Sequence, residues 1–369
     1  MSFMKYGTIE GLSKKDPFKQ GFAQIFNHTK DNLLKNRIRI LPESIGEPAA
    51  LLDFIDYDFC LAFKTDGTGT KVLIADQMTE AIRRRKKYQP REIERLYECI
   101  GIDLVATNVN DVICLGATPL VLSDEIASGH YTKFTDREFV NGLYSGIKKG
   151  CDEANITVPC GESPTQVDIV KKNTVNITGS CIGIVKPKQK VILGKDIRSG
   201  DAIFGLHSSG IHVNGLSLAR KLIEILPKGY FTKFGSKTLG EELLTPTRIY
   251  VKPILEMLDK QVPIHYMSNI SGSAFRKVSR AKKPFTYVIE QLPQIPEILD
   301  YLQKLGNLSD KDMYETWNMG LGFMVIAPER EEEKMKKIAK KYKTNLLKLG
   351  YVETGKKSVV IKPKGIIYE

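Results

Sequence analysis

Apolar and polar positions alternate with helical and strand periods in turn along most of the chain, and this rhythm predicts the elements. Asp58-Phe59-Cys60-Leu61-Ala62-Phe63-Lys64 is an apolar run of strand length. It ends in the loop Thr65-Asp66-Gly67-Thr68-Gly69-Thr70-Lys71, and a helix follows. Between Arg91 and Leu115, the residues Ile93, Leu96, Ile100, Leu104, Val105 and Val112 recur at spacings of three and four, which predicts a long helix. The turn Gly116-Ala117-Thr118-Pro119 separates it from a strand over Leu120 to Ala127. Phe134 to Ala154 reads as a helix capped by Thr135, with Glu138 three residues on. Thr157 to Glu162 is a short strand running into a loop, and Val175 to Val185, rich in β-branched residues, is the last strand of this half.

In the second half a turn at Ser199-Gly200-Asp201 opens onto a strand ending near Leu206. The loop His207 to Gly215 leads into a helix over Leu216 to Leu226. A further helix lies around Arg248 to Leu258, then a loop near Asn269 to Ala274 and a closing strand–helix–strand. Residues 1–50 are polar and mixed, interrupted by Gly7, Gly11 and Pro17, and read as a partly mobile arm. Helices and strands alternate throughout, so the class is α/β or α+β. A chain of 369 residues exceeds the size at which one core keeps growing, so two domains are expected. They are residues 51–188 and 189–369, joined by the linker Lys186 to Lys190.

Composition narrows the class. A hydrophobic fraction of 42% and a charged fraction of 27% are ordinary for a globular protein. No export signal and no apolar run of bilayer length is present, so a cytoplasmic protein without a membrane partner is expected. The six cysteines are scattered without a C-x-x-C pair and read as reduced core thiols. A net charge of +12 raises the question of nucleic acid. Its densest runs, Arg83 to Lys87 and Lys334 to Lys343, carry no interleaved aromatics, and the second has the spacing of an amphipathic helix. The surplus is therefore surface charge suited to an anionic, phosphorylated substrate, and nucleic acid is not an expected partner.

Four segments carry chemistry. Asp66 to Lys71 gathers a carboxylate, two glycines, two hydroxyls and an ammonium at a strand end. Gly67 and Gly69 let backbone N–H groups approach phosphate oxygens, Thr68 and Thr70 add hydroxyls, Lys71 adds positive charge, and Asp66 offers hard oxygen to Mg²⁺. Taken alone, a Gly-rich hairpin explains the segment as well. Asp111, beside Asn110, and Glu162, beside Gly161, stand at element ends among small residues. With Asp66 they form a candidate metal set, because nucleotide magnesium sites use one or two carboxylates with phosphate oxygens. The loop with Ser209, Gly210, His212 and Asn214 enters a helix whose first N–H groups favour an anion. No third metal-ligating residue accompanies its histidines, so it reads as a substrate loop.

Together these segments resemble the aminoimidazole ribonucleotide synthetase (phosphoribosylformylglycinamidine cyclo-ligase) family, in that family's order from about residue 58 to the end. Thr65 to Lys71 is similar to T-D-G-V-G-T-K, Gly101 to Asp111 to G-I-D-L-V-A-x-x-V-N-D, and Gly161-Glu162-Ser163 stands for G-E-T. Ser209 to Leu218 resembles S-G-x-H-S-N-G-Y-S-L, Leu244 to Lys252 L-x-x-P-T-x-I-Y-V-K, and Met313 to Gly322 M-x-x-T-F-N-x-G-x-G. The resemblance implies ATP and Mg²⁺ as cofactors and a nucleotide substrate. It also implies an N-terminal domain that forms a β-barrel across a homodimer. The implied reaction is phosphorylation of a formyl amide oxygen in formylglycinamidine ribonucleotide, followed by amidine attack and ring closure. By the same likeness Asp66, Lys71 and Asp111 are catalytic, and Asn269 and Ser271 join the substrate loop.

Where the family has H-I-T-G-G-G, this chain has Asn269-Ile270-Ser271-Gly272-Ser273-Ala274, which replaces a histidine by an amide unable to act as a base near neutral pH. Pro164 to Asp168 replaces A-E-M-P-G, and Pro48-Ala49-Ala50 stands near an expected G-G-F-G. A relative acting on another acceptor, such as a thiamine-monophosphate kinase or a selenophosphate synthetase, and a catalytically idle homologue are the competing expectations.

Overall fold

The computed structural model describes residues 16–271 and 274–369. Gly272 and Ser273 of the Asn269 segment, and Gly7 and Gly11 of the arm, lie outside the described residues. The segment expected to be an arm contributes structure before the first domain's core. It holds a helix, Asp16–Thr29, and strand β1, Ile38–Ile40, which pairs antiparallel with β2, Ala50–Phe54. The linker is also tied down, since Lys188 Nζ lies 2.6 Å from Asp53 Oδ1.

Strand β3, Cys60–Gly67, β4, Thr118–Ser128, β5, Gly161–Glu162, and β6, Val175–Val185, complete a six-stranded sheet of order β1-β2-β3-β6-β4-β5. Along β6 the odd-numbered residues are all buried and the even-numbered ones exposed or half-buried, so one face of the sheet meets the core and the other does not. The covered face packs on the long helix Pro90–Val112, which in turn packs on the helix Arg137–Ala154. Glycines make that helix pair close: a side chain on Gly101 would strike Leu143 and Ile147 backbone, and one on Gly146 would strike the Glu98 carbonyl. The Arg137–Ala154 helix is capped by Asp136, whose carboxylate accepts from Phe139 N, and not by Thr135.

The second domain is a seven-stranded sheet built from β7, Ala202–His207, and β10 to β15, with the small hairpin β8, Lys233–Phe234, and β9, Lys237–Thr238, at its periphery. Its further strands are β10, Tyr266–Asn269, β11, Phe285–Ile289, β12, Leu321–Ala327, β13, Leu346–Thr354, β14, Ser358–Ile361, and β15, Ile366–Tyr368. Their order is β10-β12-β7-β13-β11-β14-β15, and all seven residues of β12 are buried because both faces of the strand are covered. The basic run at 334–343 lies largely on the helix Glu332–Lys341, which buries Met335, Ile338 and Ala339 and turns its lysines outward. The six cysteines are all free, and Cys60, Cys114, Cys151 and Cys181 are buried. Among the described residues no helix is long and apolar enough to cross a membrane.

The two domains meet along the Pro90–Val112 helix. Asp103, fully buried, accepts hydrogen bonds from Thr247 N at 2.7 Å and Thr247 Oγ1 at 2.6 Å. One turn pair further on, Asn110 accepts from Tyr250 N at 2.9 Å and donates to the Arg248 carbonyl at 2.8 Å. The segment Thr245 to Tyr250 is therefore a polar seam holding the second domain to the first.

Candidate active site

Strand β3 ends at the seam, and period-two alternation places Lys64 and Asp66 on the same face, toward the long helix. There Asp66 exchanges backbone hydrogen bonds with the Asn108 side chain, which fixes the strand end over the helix. Asp111 rises from the last turn of that helix. Lys64 Nζ lies 2.8 Å from Asp111 Oδ2 and 3.3 Å from Asp66 Oδ2, so one ammonium joins both carboxylates. Burial opposes the charged lysine, but the two carboxylates outweigh it and its pKa is raised. The other oxygen of Asp111 accepts from Asn269 Nδ2 at 2.7 Å, and Asn269 N donates to Cys114 Sγ.

These residues border a cleft of about 770 Å³ that also exposes Gly69, Thr70, Asn214, Ser217 and Ser271. Arg276, Lys277 and Arg280 also line it and make it largely basic, with Glu315 a further carboxylate there. The Lys277 ammonium donates to Ser271 Oγ, and burial pushes its pKa down to about 8 although Asp111 works against the shift. Glu47 and Pro48 line the cleft as well, and Glu47 accepts from Tyr266 Oη at 2.9 Å while burial raises its pKa. Ser217 stands in the first turn of the helix Leu216–Glu224 and shares a 3.3 Å hydrogen bond with Thr70, so this helix N-terminus faces the Gly69 turn. A smaller pocket of about 220 Å³ adjoins the cleft and is bordered by Asp66, Gly67, Thr107, His212 and Asn269.

The expected site residues divide sharply. Asp66, Gly67, Gly69, Thr70, Asp111, Asn214, Asn269 and Ser271 gather around these two cavities. Lys71 does not: it is fully buried, 2.7 Å from Asp103 Oδ2 and 2.7 Å from the Thr245 carbonyl, so its charge is consumed in the seam. Asn110 uses both ends of its amide on Arg248 and Tyr250, and Thr68 is fully buried. Ser209 and Gly210 are likewise structural. Ser209 Oγ donates to the Pro246 carbonyl at 2.5 Å, and the Gly210 carbonyl accepts from Asn318. His212 borders the small pocket but is buried in a left-handed conformation, φ 61°, and its Nε2 accepts from Ser209 N at 3.2 Å. Burial, with Lys71 and Arg248 nearby, depresses its pKa to about 3, so the ring is neutral.

Glu162 falls outside the set. Its strand partner is Glu125, Glu125 pairs with Thr178, and Thr178 pairs with Gly67, which separates it from the Asp66 strand by three strand spacings, about 14 Å. Alternation also sends Glu162 to the opposite face of the sheet from Asp66. Gly161 lies at the same far edge. Among the described residues, no group of three or more His, Cys, Asp or Glu side chains is gathered to hold a metal. Lys64, Arg276, Lys277 and Arg280 carry no motif. The i, i+2 spacing of Lys64 and Asp66 on one strand face is the signal that identifies the first; the others reach the cleft only through the fold.

A six-stranded sheet on two helices, a seven-stranded second domain, and a carboxylate-and-cation cleft at their seam define the class of AIR synthase related proteins. The family described as AIR synthase related protein, N-terminal domain, matches residues 46–185, and its C-terminal counterpart matches residues 198–362. Among solved structures, thiamine monophosphate kinase from Aquifex aeolicus aligns with a TM-score of 0.55 at 17% identity, covering 87% of this chain and 92% of that one. The hydrogenase maturation protein HypE in complex with ATP aligns with a TM-score of 0.57 at 16% identity, covering 84% and 83%. Identities of this size establish the shared fold alone.

The sequence relatives are nearer. Over 310 residues the chain is 42% identical to the phosphoribosylformylglycinamidine cyclo-ligase of Methanocaldococcus jannaschii, covering 83% of this chain and 81% of that protein. It is 38% identical over 326 residues to the enzyme of that name from Pyrococcus horikoshii, covering 88% of each. The chain belongs to the phosphoribosylformylglycinamidine cyclo-ligase family.

Proposed function

We infer that the protein is an ATP-dependent phosphoribosylformylglycinamidine cyclo-ligase of purine biosynthesis, acting in the cytoplasm. The observation that carries this reading is the 42% identity over most of both chains, joined to a cleft that pairs two carboxylates with a basic wall. In the reaction, the γ-phosphoryl group of ATP passes to the formyl amide oxygen of formylglycinamidine ribonucleotide and ADP departs. An amidine nitrogen then attacks the activated carbon, phosphate leaves with that oxygen, and the imidazole ring is closed. Activation makes the oxygen a leaving group, so the protein's task is positioning and charge compensation.

The chain's own groups suit that task. Gly69 and Thr70 border the cleft where phosphate oxygens would sit, while Arg276, Lys277 and Arg280, which line the same cleft, compensate negative charge. The Leu216–Glu224 helix offers its first N–H groups beside Asn214 and Ser217, a seat for a substrate phosphate. Mg²⁺ fits the donor set, since two hard carboxylates converge on a single cationic group and nucleotide phosphates complete such a shell. Asp66 and Asp111 would hold the ion, which neutralises charge on the transferring phosphoryl group. Asn269 cannot take a proton at neutral pH; through its 2.7 Å hydrogen bond it holds Asp111 in orientation.

The uncovered sheet face supports a homodimer. It presents Leu61, Phe63, Leu120, Ile182 and Ile184 together, with Phe63 45% exposed. Apolar sheet faces of this extent are covered in stable proteins, and a second copy related by a two-fold axis would close both faces into a shared barrel. Sedimentation velocity should give a dimer for the wild type and a monomer for Ile184→Asp; a wild-type monomer at micromolar concentration removes the dimer.

The decisive experiment for the activity supplies purified protein with ATP, Mg²⁺ and formylglycinamidine ribonucleotide. ADP release that depends on the ribonucleotide, with aminoimidazole ribonucleotide formed, is the expected result. Absence of turnover, with ADP release on another acceptor, overturns the reading.

A further inference from the structure

Lys64 has an unusual position for a residue outside every motif of the site. Its ammonium stands between Asp66 and Asp111, the pair that would hold the divalent ion in the function proposed above, on which this inference rests. The alternatives for Asp111 are closed, because its second oxygen is held by Asn269. The other charged groups lining the cleft are Glu47, Arg276, Lys277, Arg280 and Glu315; Glu47 is held by Tyr266 and Lys277 is engaged with Ser271, and neither is ion-paired to Asp66 or Asp111 as Lys64 is. Without a cation, two carboxylates facing one partly enclosed space repel each other, and Lys64 supplies the positive charge that keeps them together. A metal ion cannot share that space with an ammonium for the same reason.

We propose that Lys64 is a positioning residue that holds the divalent-cation seat between Asp66 and Asp111 in the nucleotide-free protein, and gives up that seat, with its ammonium passing to phosphate, when metal and nucleotide enter together. The side chain is suited to this. Its four-carbon stem rotates readily, and its 18% exposed side chain borders the cleft in which phosphate would sit. The consequence is thermodynamic coupling: metal alone competes with a built-in cation and binds weakly, whereas nucleotide supplies new partners for the displaced ammonium and strengthens metal binding. The protein would thereby avoid loading a bare metal ion that leads to no chemistry.

Mn²⁺ titrations followed by electron paramagnetic resonance test this on the full chain, with Mn²⁺ alone and with Mn²⁺ plus the non-hydrolysable analogue AMP-PNP. Lys64→Met should bind Mn²⁺ alone about tenfold more tightly than wild type, the equivalent of one competing charge-assisted contact. Lys64→Arg, which keeps the charge, should stay near wild type, a rescue that a merely structural role does not predict. With AMP-PNP present the advantage of Lys64→Met should vanish or reverse. Equal or weaker binding of Mn²⁺ alone by a folded Lys64→Met overturns the proposal; should that variant not fold by circular dichroism, Lys64→Gln carries the same expectation. If wild type binds no Mn²⁺ even with AMP-PNP, the ATP and metal reading itself falls and takes this proposal with it. If wild type binds Mn²⁺ with AMP-PNP but Lys64→Met binds Mn²⁺ alone no more tightly than wild type does, Lys64 alone is excluded.

Discussion

The seam at Asp103 and the cleft at Asp111 lie on one helix, yet they treat charge in opposite ways. At the seam Asp103 and Lys71 are both fully buried, 2.7 Å apart, and every remaining polar contact is to Thr245 or Thr247. At the cleft Asp111 and Lys64 are a similar 2.8 Å apart, but they share that pairing with Asp66, whose side chain is 48% exposed, and face open space. A sealed pair holds domains together because neither charge has anywhere else to go; a pair on a cleft wall can exchange partners with a ligand. Asp66 and Lys71 belong to one short motif, and the fold divides them between these two environments.

The largest test of this contrast is Lys71→Ala. It leaves Asp103 charged and buried without its partner, which costs about 3–5 kcal/mol. Denaturant unfolding should show that loss, and a variant of wild-type stability that lacks only turnover would return Lys71 to the chemistry. Asp66→Asn should do the reverse. Turnover should fall by about two to three orders of magnitude, as when a charge-stabilising group is removed. The unfolding midpoint should barely move, because the side chain is half-exposed. Unchanged turnover would detach Asp66 from the site.

His212, in the loop between the two regions, gives a smaller and pH-dependent effect. Its folded pKa of about 3 lies below the ordinary histidine value, so the unfolded chain binds the proton more readily. Its contribution to stability is complete above about pH 6.5 and declines as pH falls toward 3, by about 1.4 kcal/mol per pH unit within that window. Unfolding free energies measured between pH 7 and pH 5 should show this slope in wild type and a shallower one in His212→Gln. An identical slope in both proteins would mean that the ring is not held neutral by burial.

Much of the scaffold was legible from periodicity. The strand Val175–Val185 has the bounds expected from its β-branched run, and the long helix expected from Arg91 to Leu115 forms over Pro90–Val112 with a 3₁₀ turn beyond it. The cap at Asp136 was not, since Thr135 and Asp136 are both competent caps and local packing decides between them. The edge strand Ile38–Ile40 was missed because three residues are too few to show a period, and pairing with β2 is what makes it a strand. At the site, the sequence brought Asp66, Asp111, Asn214 and Asn269 into consideration. It also promoted Lys71, Asn110 and Glu162, because a motif records residue types without recording which way they face.

By itself the sequence determined the family, the order of the elements and the two carboxylates at the cleft, since these follow from residue pattern and motif order. Tertiary structure decided which motif residues meet solvent. The direction of β3 buries Lys71 against Asp103 and leaves Asp66 open, while the strand order β3-β6-β4-β5 sets Glu162 at the far edge. It also brought Lys64, Arg276, Lys277 and Arg280 to one cleft from segments far apart in the chain. Charge acts through distance and burial, and both are properties of the folded chain.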